Sequence, residues 1–489
     1  MSDKPLLQTL SRAIITQSGI QLSGNWHESN YHPLFCCSGS SSDSSIHRTI
    51  PYHDILFAEE LDSSASDGDF GTREIELTYV ARNNKIDLKK EIVIVTDYEP
   101  NLSQTILQKA YGQTDRTHPQ RILVLINPHG GKGKALRLFE DKAEPILNAA
   151  QCEYEVCTTL KHQHATELIR TRKDILDFDT IVCASGDGIP HEVINGLYQR
   201  DDRAECFEHL TVTQIPCGSG NAMSLSCLDT NDPAEAALSV LKAPSVRIDL
   251  MAITQPSQSV RLSFLSLTYG MIADGDIGTE WLRFLGPFRF EVGIVTKLLQ
   301  NAKYPCDLSV DFCAKDHQLL SQHYCDNIKS DYSKTQHLPI TDQSFELKSP
   351  SLENPPPTDW ERLDSQITDN LSIFYVGKMP IVSADTNFFP AAIPDDGCMD
   401  LVITDNRSSV LDTANLLLQV DKGTHVLQKD VIHSKVKAFR LTPRIPKGYI
   451  SVDGESFPFE TTQVEVLPTL LKTVMKEGTY AETGFPSYS

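Results

Sequence analysis

Three short glycine-containing segments carry the residue types needed to hold a phosphate, and one of them carries a carboxylate. They are Asn127-Pro128-His129-Gly130-Gly131-Lys132-Gly133-Lys134, Ser185-Gly186-Asp187-Gly188 and Pro216-Cys217-Gly218-Ser219-Gly220-Asn221-Ala222. Each follows an apolar run and opens what reads as a helix. Glycine lets backbone amides approach a phosphate closely, and the N-terminus of the next helix adds positive potential. Asp187, flanked by glycines, is left open to a substrate and could accept a hydroxyl proton. Each segment also has a plainer reading. The first is not a Walker A loop, because Ala135 follows Lys134 where Ser or Thr is required; alone it is equally a tight turn. Asp187 could simply cap local amides in an Asx turn. A fourth segment, Val452-Asp453-Gly454-Glu455, is a hairpin signal, or a pair of carboxylates able to hold a magnesium nucleotide through water.

The flanking pattern says what must position these loops. Arg121 to Ile126, Tyr154 to Thr159, Thr180 to Ala184 and Leu210 to Ile215 read as strands, alternating with helical stretches such as His164 to Ile175. That alternation predicts a parallel α/β sheet over residues 119–247, with active loops at the strand C-termini. Three glycine loops at successive strand ends would converge on one crevice. From 248 to 470 the alternation gives way to strands, including Val260 to Leu267, Asn370 to Val376, Met399 to Thr404 and Val436 to Leu441. These predict an antiparallel β-sandwich with one helix near Val410 to Gln419. Residues 311–369 are polar, acidic and contain Pro355-Pro356-Pro357, and are expected to be an inserted, mobile loop. Residues 1–118 read as a β-rich accessory extension, with strands at Glu74 to Ala81 and Glu91 to Thr96, and 471–489 as a C-terminal tail.

Bulk properties bound the function. With 489 residues the chain is too long for one core, and its 40% hydrophobic and 22% charged residues are ordinary for a globular protein. A formal net charge of -21 argues against nucleic acid as a partner. The twelve cysteines show no metal-ligand spacing and are read as reduced thiols, with Cys36 and Cys37 set apart. No signal peptide and no apolar run long enough to span a bilayer is visible.

The four motifs, in this order, resemble the lipid kinase family that includes diacylglycerol, ceramide and sphingosine kinases, and most closely the sphingoid long-chain base kinases of fungal type. The likeness covers about Gln120 to Leu467 and includes His191-Glu192-Val193-Ile194-Asn195-Gly196. It implies ATP and magnesium as cofactors and a sphingoid base as substrate. Asn127, Pro128, His129, Gly131, Thr159, Ser185, Gly186, Glu192, Gly218, Ser219 and Gly220 would line the nucleotide site, Arg283 and Arg289 would reach the phosphates, and Asp453, Gly454 and Glu455 would close the far side. Asp187 matches the catalytic aspartate. Asp276 matches the residue that engages the sphingoid amine, with Ser266 and Gly188 in the same pocket. Metal ligands are not assigned by the likeness. His129 and Cys217 stand where arginine and alanine are usual, and Pro190 replaces a larger apolar residue, so one phosphate contact is in doubt.

Two rivals share these features. A diacylglycerol or ceramide kinase would use the same loops, but an anion at Asp276 has no use against a neutral ester or amide. A catalytically inactive lipid-binding scaffold would not need the intact Gly186-Asp187-Gly188. A lipid substrate implies peripheral contact with internal membranes (endoplasmic reticulum or Golgi) or the plasma membrane from the cytoplasm. The adjacent Cys36 and Cys37, beside a serine-rich stretch, are candidates for acylation. A homodimer is left open.

Overall fold

The computed structural model describes residues 11–23, 47–61, 73–82, 85–95, 101–112, 114–116, 118–278, 302–349, 351–406 and 410–485. Cys36, Cys37, Arg283 and Arg289 lie outside them. The chain divides into two compact units, residues 1–119 with 144–152, and residues 120–143 with 153–489.

The first unit holds a six-stranded sheet of β1 (Ser11–Ile15), β2 (Gly19–Ser23), β3 (His47–Pro51), β4 (Ile55–Glu60), β5 (Arg73–Arg82) and β6 (Ile86–Val95), in the order β3-β2-β1-β6-β5-β4. All neighbours are antiparallel except β1 and β6. The alternation in β5 buries Ile75, Leu77 and Tyr79 on one face. Helix α1 (Leu102–Ala110) buries Leu102, Ile106 and Ala110, which its period places on one stripe.

The second unit begins with β7 (Arg121–Ile126), β8 (Glu153–Thr158), α2 (His164–Thr171), β9 (Thr180–Ser185), α3 (Gly188–Tyr198), β10 (Thr211–Pro216), α4 (Ala222–Leu228) and α5 (Pro233–Lys242). Its strands are parallel in the order β8-β7-β9-β10. Every residue of β9 and β10 is buried, which is why they read as unbroken apolar or neutral runs. Register sets Ile126 beside Ala184 and Ser185 beside Pro216. The three glycine loops therefore leave adjacent strand ends. The chain reverses its lateral direction between β7 and β9, the position at which open α/β sheets form a crevice.

The chain continues through β11 (Ser245–Gln255), β12 (Gln258–Ser263), β13 (Ser266–Gly270), α6 (Met271–Asp276), β14 (Cys306–Ala314), α7 (His317–Asn327), β15 (Leu371–Gly377), β16 (Met399–Asp405), β17 (Val431–Pro443), β18 (Ile450–Val452) and β19 (Thr462–Val474). These strands are antiparallel in the order β18-β13-β15-β16-β17-β19, with β11 also on β19 and β14 on β17. The last strand, β19, joins β10 in parallel with Thr211 beside Lys472, so one sheet runs through both halves. The fold is thus a parallel α/β half followed by an antiparallel β half, as the sequence pattern predicts. Strand β11 runs across the 247/248 boundary.

Residues 311–369 are not one inserted loop. They begin inside β14, continue into α7, and bury Tyr332, Ile340 and Phe345. Polar composition hid this because the anchors are isolated. Ile340 N–H donates to Glu208 Oε2 at 2.7 Å, and Lys348 N–H to Glu465 Oε2 at 2.9 Å, so carboxylates of other elements satisfy the backbone.

A charged network is sealed beside this sheet. Lys378, directly after β15, bonds Asp249 Oδ2 at 2.8 Å and Asp396 Oδ1 at 3.0 Å, and Lys435 bridges Asp396 at 2.9 Å and Asp400 at 2.8 Å. His433 Nε2 lies 2.8 Å from Asp400 Oδ1. Removing one member leaves buried charges uncompensated. Lys378→Met is expected to cost about 3–5 kcal/mol of stability, seen as a lower urea midpoint, while Met keeps the volume.

Candidate active site

Asp187 ends the turn from β9 into α3, below the loop that follows β10. Its Oδ1 accepts the backbone N–H of Ala222 at 2.7 Å and the Gln214 side-chain amide at 3.3 Å. Gln214 is itself clamped, donating to Ser185 O at 3.2 Å and accepting Ser224 N–H at 2.9 Å. Burial pushes the Asp187 carboxyl up to about 6. Bonds from Ala222 and Gln214 oppose that shift and repulsion from Asp453 adds to it. The result is a base poised near neutral pH.

Glycines make this approach sterically possible. A Cβ on Gly218 would fall 2.2 Å from Gly186 Cα, and one on Gly220 would fall 2.2 Å from Asp187 Oδ2. The second and third loops therefore touch backbone to backbone. Asn221, at φ 60, ties the third loop by accepting Gly218 N–H at 3.0 Å. Asn127 ties the first by accepting His129 N–H at 3.0 Å.

Helix α3 is wired to its surroundings by three consecutive functions of its motif. Glu192 accepts the N–H groups of Gln163 and Ala165, both at 2.9 Å, and so caps α2. Asn195 pairs with Leu262 as a strand would, donating to its carbonyl at 2.8 Å and accepting its N–H at 2.9 Å. His191 Nδ1 lies 2.8 Å from Asp453 Oδ2.

Asp453 is a latch. Its Oδ1 accepts Ser263 Oγ at 2.6 Å, Leu265 N–H at 3.1 Å and Ser266 N–H at 3.0 Å, and its Oδ2 accepts Phe264 N–H at 3.3 Å. These bonds split the expected strand Val260 to Leu267 into β12 and β13, because the amides that would extend a ladder turn to one carboxylate. The latch gives Asp453 a structural role that its motif does not announce, and its side chain is inaccessible. Glu192 likewise has a structural role, since both its oxygens cap α2. Glu455 is nearer the crevice, its Oε1 lying 3.1 Å from where a Cβ of Gly188 would be.

Polar side chains of the adjacent strands β13, β15 and β18 are linked to one another and to α6. Ser266 Oγ donates to Tyr375 Oη at 3.3 Å, and Ser451 Oγ donates to Asp276 Oδ2 at 2.6 Å. Burial raises the pKa of the Tyr375 phenol; the Ser266 bond opposes this, and the fields of Asp276, Asp453 and Asp187 add to it. Tyr375 thus feels both Asp276 and Asp187 and bonds Ser266, while Gly188 opens α3 directly after Asp187. Thr159 is buried, its N–H bonded to Ile126 O at 2.8 Å, whereas His129 and Ser219 are exposed on their loops. Ser185 ends β9 with Gly186 directly after it, Pro128 precedes the helical turn Gly130–Gly133 that holds Gly131, and Gly454 is an open turn residue at φ 81. Gln214, Asn195 and Tyr375 were missed. Asn195 stands in the His191 to Gly196 motif but was given no role of its own, and Gln214 and Tyr375 sit inside strands where they read as ordinary core or ladder residues.

Comparison with known proteins agrees with this geometry. Residues 121–253 match the diacylglycerol kinase catalytic domain, and residues 369–475 match the YegS C-terminal NAD kinase beta sandwich-like domain. A putative diacylglycerol kinase from Bacillus anthracis, 17% identical with a TM-score of 0.50, covers 74% of this chain and 100% of its own, and shares the fold. Fold and site thus define a lipid kinase of the diacylglycerol kinase type. Sphingoid long chain base kinase 5 of Saccharomyces cerevisiae is 43% identical, over 85% of this chain and 69% of its own. Sphingoid long chain base kinase 4 of Schizosaccharomyces pombe is 34% identical, over 90% of each, and mouse sphingosine kinase 1 is 30% identical, over 72% of this chain and 90% of its own. The chain belongs to the sphingoid long-chain base kinase family.

Asp187→Asn keeps the acceptor for Ala222 and removes the base. Phosphorylation is expected to fall by at least about 100-fold. The raised carboxyl binds its proton more tightly in the folded state, so its ionisation costs stability as pH rises from the ordinary carboxylate range through about 6. The variant should therefore melt no lower than wild type at pH 7. In the wild type, kcat/KM should decline on the acid side with a midpoint near 6; a flat profile down to pH 5 would contradict the assignment. Asp453→Ala leaves several buried donors unpaired and is expected to lower stability by at least about 3 kcal/mol, measured by thermal and urea unfolding.

Proposed function

We infer that this protein transfers the γ-phosphate of ATP to the primary hydroxyl of a sphingoid long-chain base, giving the base 1-phosphate. The observation that carries the reading is Asp187, a carboxylate with a raised pKa beneath converging glycine loops, in a chain of this kinase family. The glycine cradle fits a triphosphate, because any Cβ at Gly218 or Gly220 would fill the approach that a phosphate and Asp187 share.

In the transfer the hydroxyl oxygen bonds to the γ-phosphorus as the bridging β–γ bond breaks, ADP leaves, and the hydroxyl proton passes to Asp187. Such a transition state is loose, so positioning and charge neutralisation dominate. Amides of the Asn127, Ser185 and Gly218 loops would hold the phosphates, with Arg283 and Arg289 supplying positive charge from outside the described residues. Glu455, near the crevice, is the carboxylate left to hold magnesium, since Asp187 serves as the base and Asp453 is committed to its latch. When bound, magnesium would neutralise charge on the phosphate oxygens.

For the acceptor, Asp276 would pair with the sphingoid ammonium through a charge-assisted hydrogen bond, with Ser266 and Tyr375 beside it. No helix among the described residues is long and apolar enough to cross a membrane. A peripheral approach to the bilayer that carries the substrate is consistent with this, and acylation at Cys36 or Cys37 would reinforce it.

Radiolabelled ATP offered with sphingosine, dihydrosphingosine, phytosphingosine, ceramide and diacylglycerol tests the reading. Label is expected in the bases and not in the neutral lipids; efficient labelling of diacylglycerol would overturn the substrate class. Asp276→Asn should raise the KM for the base more than about tenfold, from the roughly 2–5 kcal/mol lost when one member of a desolvated charge pair is removed. The KM for ATP should change much less.

A further inference from the structure

Away from the catalytic crevice, three metal-ligating side chains from distant parts of the chain meet. Cys313 near the end of β14, His323 on α7 and Cys398 just before β16 each place a ligand atom within 4.8 Å of the other two. Their separation in sequence, ten residues and then seventy-five, matches no metal-binding spacing, so only the fold unites them.

The geometry of the trio is that of a half-built coordination shell. Cys313 Sγ lies 3.6 Å from His323 Nδ1. With zinc–sulfur and zinc–nitrogen bonds of about 2.3 and 2.0–2.1 Å, the sulfur–nitrogen edge of a tetrahedron is about 3.6 Å. The other imidazole nitrogen, Nε2, lies 3.1 Å from Asp396 Oδ2. A carboxylate behind the distal nitrogen turns the ring toward a metal and raises its basicity. Asp396 is in turn fixed by Lys378 and Lys435, so the ring is anchored to the sealed charge network.

We propose that Cys313, His323 and Cys398 bind one zinc ion that clamps α7 onto the β half, with a water or small anion completing the tetrahedron. Two sulfurs and an imidazole select a soft or borderline cation over magnesium or calcium. The clamp answers a need visible in the helix itself. Of the eleven residues of α7, Leu320 alone is fully buried, and beyond it Tyr324 packs edge-on against Phe485 at 4.8 Å. Cation binding would add the attachment that so little apolar burial leaves weak.

The test uses the full chain, purified without chelator, with metal content measured by mass spectrometry. About one zinc per chain is expected, and almost none in Cys313→Ser or Cys398→Ser. Apoprotein titrated with cobalt should develop the near-ultraviolet absorption of thiolate-to-cobalt charge transfer, and zinc should raise its melting temperature. The cobalt spectrum needs no variant, so it stands even if a substitution impairs folding. Zinc-free protein with no cobalt band would overturn the proposal, as would zinc retained in both variants. A Cys313–Cys398 disulfide in protein purified under non-oxidising conditions would also overturn it, and would reassign the pair as a redox couple.

Discussion

The carboxylate of Asp453 is the contact around which the second unit is organised. It gathers Ser263 Oγ, the amides of Phe264, Leu265 and Ser266, and the His191 ring. An ion with five donors in a water-free site is well satisfied, and each donor comes from a place that must not move. His191 brings α3, whose first turn carries Asp187. Phe264 to Ser266 mark where the chain leaves β12 and starts β13, whose first residue bonds Tyr375. The latch therefore ties the helix that follows Asp187 to the start of β13. That Asp453 adopts φ 52 is consistent with a conformation imposed by these bonds.

Around this latch the catalytic crevice is built mostly of backbone. Parallel strands buried on both faces end together, and their loops can meet only where side chains are missing, as at Gly218 and Gly220. The same crowding partly shields Asp187 from water and lifts its pKa toward the range in which a hydroxyl proton can be taken and returned. Steric closeness and base strength are thus two consequences of one packing arrangement. The continuity of the sheet through β10 and β19 joins the half that holds the loops to the half that holds Asp276 and Ser266 without a flexible connection.

The antiparallel half has a second centre of charge in the Lys378, Lys435, Asp249, Asp396 and Asp400 cluster. Buried ion networks of this kind add little to net stability compared with apolar packing, but they punish any alternative arrangement. Here the network fixes the ends of β15 and β16 and extends through Asp396 to His323 on α7. It thereby orders a segment whose composition alone gives it few reasons to fold.

Much of this was legible from the chain alone. Apolar runs in β7, β9 and β10 show strands buried on both faces, and the glycine segments that follow them mark the loops and Asp187, because period and turn chemistry are local properties. Local pattern failed where one residue answers to a partner far along the chain. Val260 to Leu267 reads as one strand because nothing nearby shows that Asp453, nearly two hundred residues later, will take its amides. The structural bonds of Asp453 and Glu192 could not be read from their motifs, because a carboxylate in a motif does not announce the amides that fold around it. The fold of residues 311–369, the roles of Gln214 and Tyr375, and the meeting of Cys313, His323 and Cys398 depend on contacts across the sheet. Tertiary structure alone decided these, since hydrogen-bond partners and ligand distances are set by packing in space and leave no period in the sequence.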